Sequence, residues 1–189
     1  MIAFLLFLGC SNAPVIVTQE TTTHEERELH KVSETFDVSL FSRGPQSQGK
    51  WLYAPDVRVC ATAPVTQQRV EKALDFWRRL GYNFNRVYYN DVSRHCITNI
   101  FSYNTIIIDL IDGNHIEPAL ATTTSWIDRE TRELLKAKIA LKNMWGDADR
   151  ILEHEFGHAL GWLDYNQTGH IMHHEWSRGG LTTTGVEVQ

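Results

Sequence analysis

Apolar positions recur along this chain with two spacings, and the two spacings divide it into helices and strands. Between residues 66 and 80, Val70, Ala73, Leu74, Trp77 and Leu80 lie three or four apart, with Arg69, Glu71, Lys72, Arg78 and Arg79 mostly off their stripe. That pattern predicts an amphipathic helix with one buried face. Thr66 can cap its start and Gly81 can end it. Residues 56–61 alternate Val57 and Val59 with polar neighbours, and residues 84–89 read as a second strand. Thr105–Leu110 holds three consecutive isoleucines and reads as a buried central strand. Leu134–Leu141 alternates Leu135, Ala137, Ile139 and Leu141 against Lys136, Lys138 and Ala140. Ala121–Ile127 has strand composition, with a threonine run and Trp126, but alternates poorly; it reads as an exposed edge strand. Gly146 and Asp147 then open a second helix, with Asp147 as its N-cap and Ile151, Leu152, Ala159 and Leu160 as its buried contacts. The order strand, helix, four strands, helix is that of an α+β domain without internal repeats.

The N-terminal part of the chain does not follow either spacing. The first nine residues are almost wholly apolar, too few to span a bilayer as a helix, and they stop at Cys10. This resembles a bacterial lipoprotein signal, in which the cysteine is lipidated and becomes the new N-terminus. It departs from that pattern in having no Lys or Arg before the apolar run and Leu8 where a small residue is usual. The expectation is an exported protein, secreted or held at the cell envelope through Cys10; the alternatives are an ordinary export signal or a buried apolar N-terminus. Three segments follow from this reading: a signal-like segment at 1–10, a polar tether or pro-segment at 11–49, and a folded domain at 50–189 that begins near Trp51. The middle segment is low in large apolar residues, allows a short helix around 25–34, and as a flexible coil would span roughly 35 Å.

Composition narrows the function classes. The chain has 189 residues and a net charge of −5, and no Lys/Arg run forms a phosphate-binding patch, so nucleic acid is excluded as a partner. Of the three cysteines, Cys60 and Cys96 remain once Cys10 is set aside. They are either a bridge, which would close a long loop and add roughly 3–4 kcal/mol, or two buried thiols.

The chemistry concentrates in His154-Glu155-Phe156-Gly157-His158-Ala159-Leu160-Gly161-Trp162-Leu163-Asp164. Two histidines four apart project from one face of a helix and can grip one Zn²⁺. Glu155 lies beside them and can reach a water held there. Gly161 follows where a helix can stop and the chain can reverse through a left-handed residue. Asp164 then returns as the third ligand, leaving a fourth position open, which separates a catalytic zinc from a structural one. His170 is the alternative third ligand.

This stretch resembles the metzincin zinc-protease signature, and Met172, within Gly169-His170-Ile171-Met172-His173, resembles the Met-turn of that clan. A weaker similarity reaches upstream: Lys50-Trp51, a strand and the helix around Val70–Trp77 are similar to the start of matrixin-type catalytic domains. Most metzincins have His as third ligand; Asp164 matches a minority, the snapalysin-like proteases. Little chain follows Met172, so the usual C-terminal helix is missing or very short. The resemblance implies a twisted five-stranded mixed sheet with a packed helix, an active-site helix and a Met-turn. It implies a monomeric zinc endopeptidase acting on a protein or peptide substrate, which would pair with one antiparallel edge strand, for which Ala121–Ile127 is the candidate. Metal ligands would be His154, His158 and Asp164, with Glu155 as general base and Met172 as an apolar floor under the imidazoles. His174 stands where astacin-like members hold a tyrosine, and Glu175 is the acidic residue that a gluzincin reading would need. Two other classes are kept: a catalytically silent zinc-bearing binding module at the cell surface, and a structural lipoprotein with an incidental histidine pair.

Overall fold

The computed structural model describes residues 18–23, 44–97, 102–111 and 120–188. Its elements are β1 (Thr18–Thr23), β2 (Asp56–Cys60), α1 (Gln67–Arg78), β3 (Val87–Asp91), α2 (Arg94–Ile97), β4 (Thr105–Leu110), β5 (Ala121–Ile127), β6 (Leu134–Leu141) and α3 (Ile151–Ala159). The strands form one mixed sheet in the order β1-β5-β6-β4-β2-β3. β3, β2, β4 and β6 run parallel to one another, and β5 is antiparallel to β6. The fold is α+β, with the two longer helices packed on each other and α3 also against β5 and β6.

α1 forms as its periodicity predicts. The Thr66 hydroxyl accepts the Arg69 N–H at 3.3 Å, and Val70, Ala73, Leu74 and Trp77 are buried. Their side chains meet Val57, Ile106, Ile108, Ala137 and Ile139 from the sheet and Leu152 and Phe156 from α3 in one core. The Cys60–Cys96 pair is bridged and ties the end of β2 to α2.

Four local departures from the pattern have physical causes. β3 begins at Val87 because Phe84 lays its ring against Phe156, with centroids 5.7 Å apart, and Asn85 bonds to the Pro55 carbonyl and the Asp56 carboxylate. Leu134, not Leu135, is the buried residue at the start of β6. A register shift pairs Trp126 with Lys136 but Ile127 with Leu134, so Leu135 is an extra residue and the alternation slips by one. Asp147 does not cap α3: its Oδ1 accepts from the Thr66 N–H and hydroxyl, tying the approach to α3 onto the start of α1. α3 begins at Ile151, after Arg150 in a left-handed conformation (φ 70°). After α3 the described residues contain no further helix; the chain packs back on the segment that follows α1, with Val188 N–H bonded to Leu80 O and Tyr82 hydroxyl to Val186 O.

The sheet has one strand more than the five expected. β1 pairs antiparallel with β5 from Thr18↔Ile127 to Thr23↔Thr122. β5 is thus the antiparallel strand that was expected, but it is not the edge of the sheet. The sequence Thr-Gln-Glu-Thr-Thr-Thr is rich in β-branched residues, and a bare β5 would expose a row of unpaired N–H and C=O groups. A second piece of the 11–49 segment is also built in. Gln46 O accepts from Leu163 N, Gln48 N donates to Gly161 O at 2.8 Å, and Ser47 bridges Trp162. Residues before Trp51 therefore belong to the folded part, and the Trp51 indole N–H caps the Ala159 carbonyl. The helix expected at 25–34, the apolar start and Cys10 lie outside the described residues. Among the described residues no helix is long and apolar enough to cross a membrane.

Candidate metal centre

α3 is buried along its whole length, ligand face included. Two carbonyls fix its histidine rings. His154 Nδ1 donates to Ile171 O at 2.7 Å, and His158 Nδ1 donates to Trp162 O at 2.7 Å. With the proton held at Nδ1, each neutral ring presents a lone pair at Nε2. The two Nε2 atoms face each other at 2.9 Å, their rings nearly perpendicular at 85°. Asp164 Oδ1 lies 3.5 Å from His154 Nε2 and 3.4 Å from His158 Nε2.

Three electron-rich atoms converging in this way need positive charge at their centre. The His154, His158 and Asp164 ligand atoms all lie within 4.8 Å of one another, a group that can hold a metal ion. A tetrahedral zinc with Zn–N of about 2.0–2.1 Å sets its ligands roughly 3.3–3.4 Å apart, so the carboxylate spacings match and the histidine pair is a few tenths of an ångström tight. Nδ1–H bonded to a backbone carbonyl is also what a metal-ligating histidine requires of its surroundings. The same field acts on protons. Burial disfavours a charged His158 ring, yet the Asp164 carboxylate beside it, with Glu155 and the Trp162 carbonyl, raises its pKa above the ordinary value.

The loop after α3 delivers Asp164. Gly161 has φ 102°, and a Cβ there would lie 2.1 Å from the Gly49 carbonyl oxygen. Only glycine allows both the left-handed reversal and that close approach. The second glycine of the motif has a different job. A Cβ on Gly157 would lie 2.2 Å from Met172 Sδ, so the missing side chain is what lets Met172 lie against α3 between the turns that carry the two histidines. Met172 is fully buried, and its carbonyl accepts from Tyr165 N at 2.7 Å, holding the loop in register.

Glu155 points into β5. The Thr123 hydroxyl donates to Glu155 Oε2 at 2.6 Å, with Glu155 O also at 3.2 Å, and Ser125 Oγ reaches His158 O at 3.4 Å. Reading the sequence missed both hydroxyls. The available signal was the run Thr122-Thr123-Thr124-Ser125, in which alternate residues face inward although none is apolar.

The remaining candidates lie outside the ligand group. His170 is fully buried, packs edge-on against Tyr165 and accepts the Met172 N–H at Nδ1, 3.1 Å away; burial pushes its pKa down. Burial, with the neighbouring His174 adding to it, does the same to His173. His174 bonds to the Asn166 side chain and stacks on His173. Glu175 is engaged by Arg178 at 3.0 Å.

Fold and site together define an α+β protein with a mixed sheet and a two-histidine, one-aspartate group able to hold a metal ion. No protein-family model, curated protein or solved structure matches this chain.

Proposed function

We propose that this chain is a zinc-dependent endopeptidase of the metzincin type, exported and monomeric, and either secreted or held at the envelope through Cys10. One observation carries the reading: His154, His158 and Asp164 converge on one point, and Glu155, on the same helix, is near enough for its charge to act on His158. A donor set of two imidazoles and a carboxylate with a fourth position open suits catalytic zinc. When bound, zinc would supply Lewis acidity toward a peptide carbonyl and a water of lowered pKa.

The chain's own residues do the rest. Ile171 O and Trp162 O hold the Nδ1 protons and so aim each Nε2 at the ligand point. Asp164 adds a negative charge that a third histidine would lack, which offsets part of the metal's charge and makes the water somewhat less acidic. Glu155 takes the proton of the attacking water and passes it to the leaving amine. The substrate would lie antiparallel along β5 by strand addition. β1 lies along that side of β5, so a pairing peptide takes the place of β1.

The test is zinc content and peptide hydrolysis, with and without chelator, in four proteins. The parent binds stoichiometric zinc and cleaves. Glu155→Gln keeps zinc and loses about 10²–10⁴ in rate. Asp164→Ala loses zinc, and His170→Ala keeps it. Unchanged zinc in Asp164→Ala sinks the ligand assignment. Zinc without hydrolysis in the parent replaces the endopeptidase with the silent binding module.

A further inference from the structure

We propose that Thr123 is a positioning residue for Glu155: its hydroxyl fixes the carboxylate of the base and registers it to the strand that would pair with substrate. The inference rests on the endopeptidase reading of Glu155 and adds a residue to it.

The inward positions of β5 are Ala121, Thr123, Ser125 and Ile127. Apolar residues stand at the two ends, and hydroxyls occupy the middle, opposite α3. Buried hydroxyls are costly unless bonded, and both of these reach α3. Their contacts differ in kind. Ser125 reaches only a main-chain carbonyl, that of His158, at 3.4 Å. Thr123 reaches a side chain, Glu155 Oε2, at 2.6 Å. The single hydroxyl proton is shared between Oε2 and the Glu155 carbonyl at 3.2 Å, and the shorter, charge-assisted bond takes most of it.

Thr123 is 1% and Glu155 2% exposed, so bulk water does not compete for that bond. A glutamate has three side-chain torsions, and a base must come within about 2.6–3.2 Å of the proton it takes. Holding Oε2 sets the plane of the carboxylate and with it the direction of the other oxygen. The anchor is itself stiff. Threonine is branched at Cβ, so its hydroxyl direction follows the β5 backbone, and that backbone is paired on both sides. A peptide aligned by β5 and a base aligned by β5 share one frame, which is what a near-attack geometry requires.

The test compares the full-length, zinc-loaded parent with Thr123→Val, Thr123→Ser and both on a Glu155→Gln background. Thr123→Val keeps the shape and removes the donor. It retains stoichiometric zinc and an unchanged KM, while kcat falls on the order of ten- to a hundred-fold, the value of one hydrogen bond to a charged group. Thr123→Ser restores kcat to within about three-fold. On the Glu155→Gln background, Thr123→Val costs nothing further. A second readout needs no turnover. The ¹³C carboxyl resonance of Glu155, assigned by its loss in Glu155→Gln, shifts in metal-free and zinc-loaded Thr123→Val and returns in Thr123→Ser. An active parent whose kcat survives Thr123→Val, a Ser variant as impaired as Val, or a Val penalty undiminished on the Gln background overturns the positioning role and leaves the endopeptidase reading standing. A zinc-loaded parent that leaves peptides intact overturns both.

Discussion

α1 and α3 are locked together by a buried ion pair whose removal can be worked through in numbers. Arg69 meets both oxygens of Glu153: Nη1 donates to Oε1 at 2.9 Å and Nη2 to Oε2. The side chains are 6% and 4% exposed. Arg69 also donates to the Ala148 carbonyl, from Nη2 at 3.1 Å and Nε at 3.4 Å, and the Trp77 indole N–H donates to Glu153 O at 2.8 Å. Truncating one partner leaves the other charge buried without its counter-ion, at a cost of about 3–5 kcal/mol. Replacing both by apolar residues of similar volume, Arg69→Met with Glu153→Leu, removes the desolvation penalty along with the attraction and is neutral or favourable by about 1–4 kcal/mol. The Ala148 carbonyl then loses its donors, which costs about 1–3 kcal/mol. The double variant should therefore sit within about 3 kcal/mol of the parent. For a domain of this size each kcal/mol moves Tm by about 2–4 °C, so each single variant loses roughly 6–20 °C and the double variant less than their sum. Calorimetry at one fixed zinc concentration is the assay, because bound metal adds its own stabilisation. Single variants within 1 kcal/mol of the parent, or a double variant whose loss is the sum of the singles, would refute the reasoning.

Two further outcomes are expected. Replacing Cys60 and Cys96 by serine releases a loop with sequence separation 36; chain entropy puts the loss at about 3.8 kcal/mol, and a urea midpoint unchanged from the parent would show that the bridge does not constrain the unfolded chain. The pH dependence of stability should carry a His170 component. Burial depresses its folded pKa below the ordinary histidine value, so under acid the unfolded chain binds a proton that the folded chain refuses. Stability from this group is present above the unfolded value and is lost as pH falls below about 6.5. Between pH 7 and 5 the parent should lose stability faster than His170→Asn, whose amide oxygen can still accept the Met172 N–H; parallel pH curves would count against it.

Much of this fold was legible because burial and periodicity agree. The α1 stripe, the isoleucine strand β4 and the motif from His154 to Asp164 each follow a local rule, and the structure keeps them. What was not legible depends on partners distant in sequence. Asp147 has the chemistry of an N-cap but bonds to Thr66 across the α1–α3 junction. Leu134 and Leu135 exchange burial because of a register shift that only the pairing with β5 determines. Thr123 reads as an ordinary strand threonine until Glu155 is placed under it. Nothing local to the motif explains Gly157, and its reason is Met172 pressing on the helix. β1 escaped because six polar residues carry no apolar alternation; its strand character is a response to the open edge of β5.

The pairing of β1 with β5 also sets the length of a leash. With Cys10 anchored at a surface and β1 in the sheet, seven residues lie between anchor and body, and a chain that long reaches at most about 25 Å. If β1 peels away, the first residue described in the body is Gly44, and the stretch before it reaches at most about 110–120 Å. In a molecule anchored that way, docking of one six-residue strand would govern two quantities together: whether the side of β5 is covered, and how far from the anchor the candidate metal centre could work. A tethered molecule would be covered while close and uncovered while far-reaching, so freeing β5 and enlarging the searched volume would be one event.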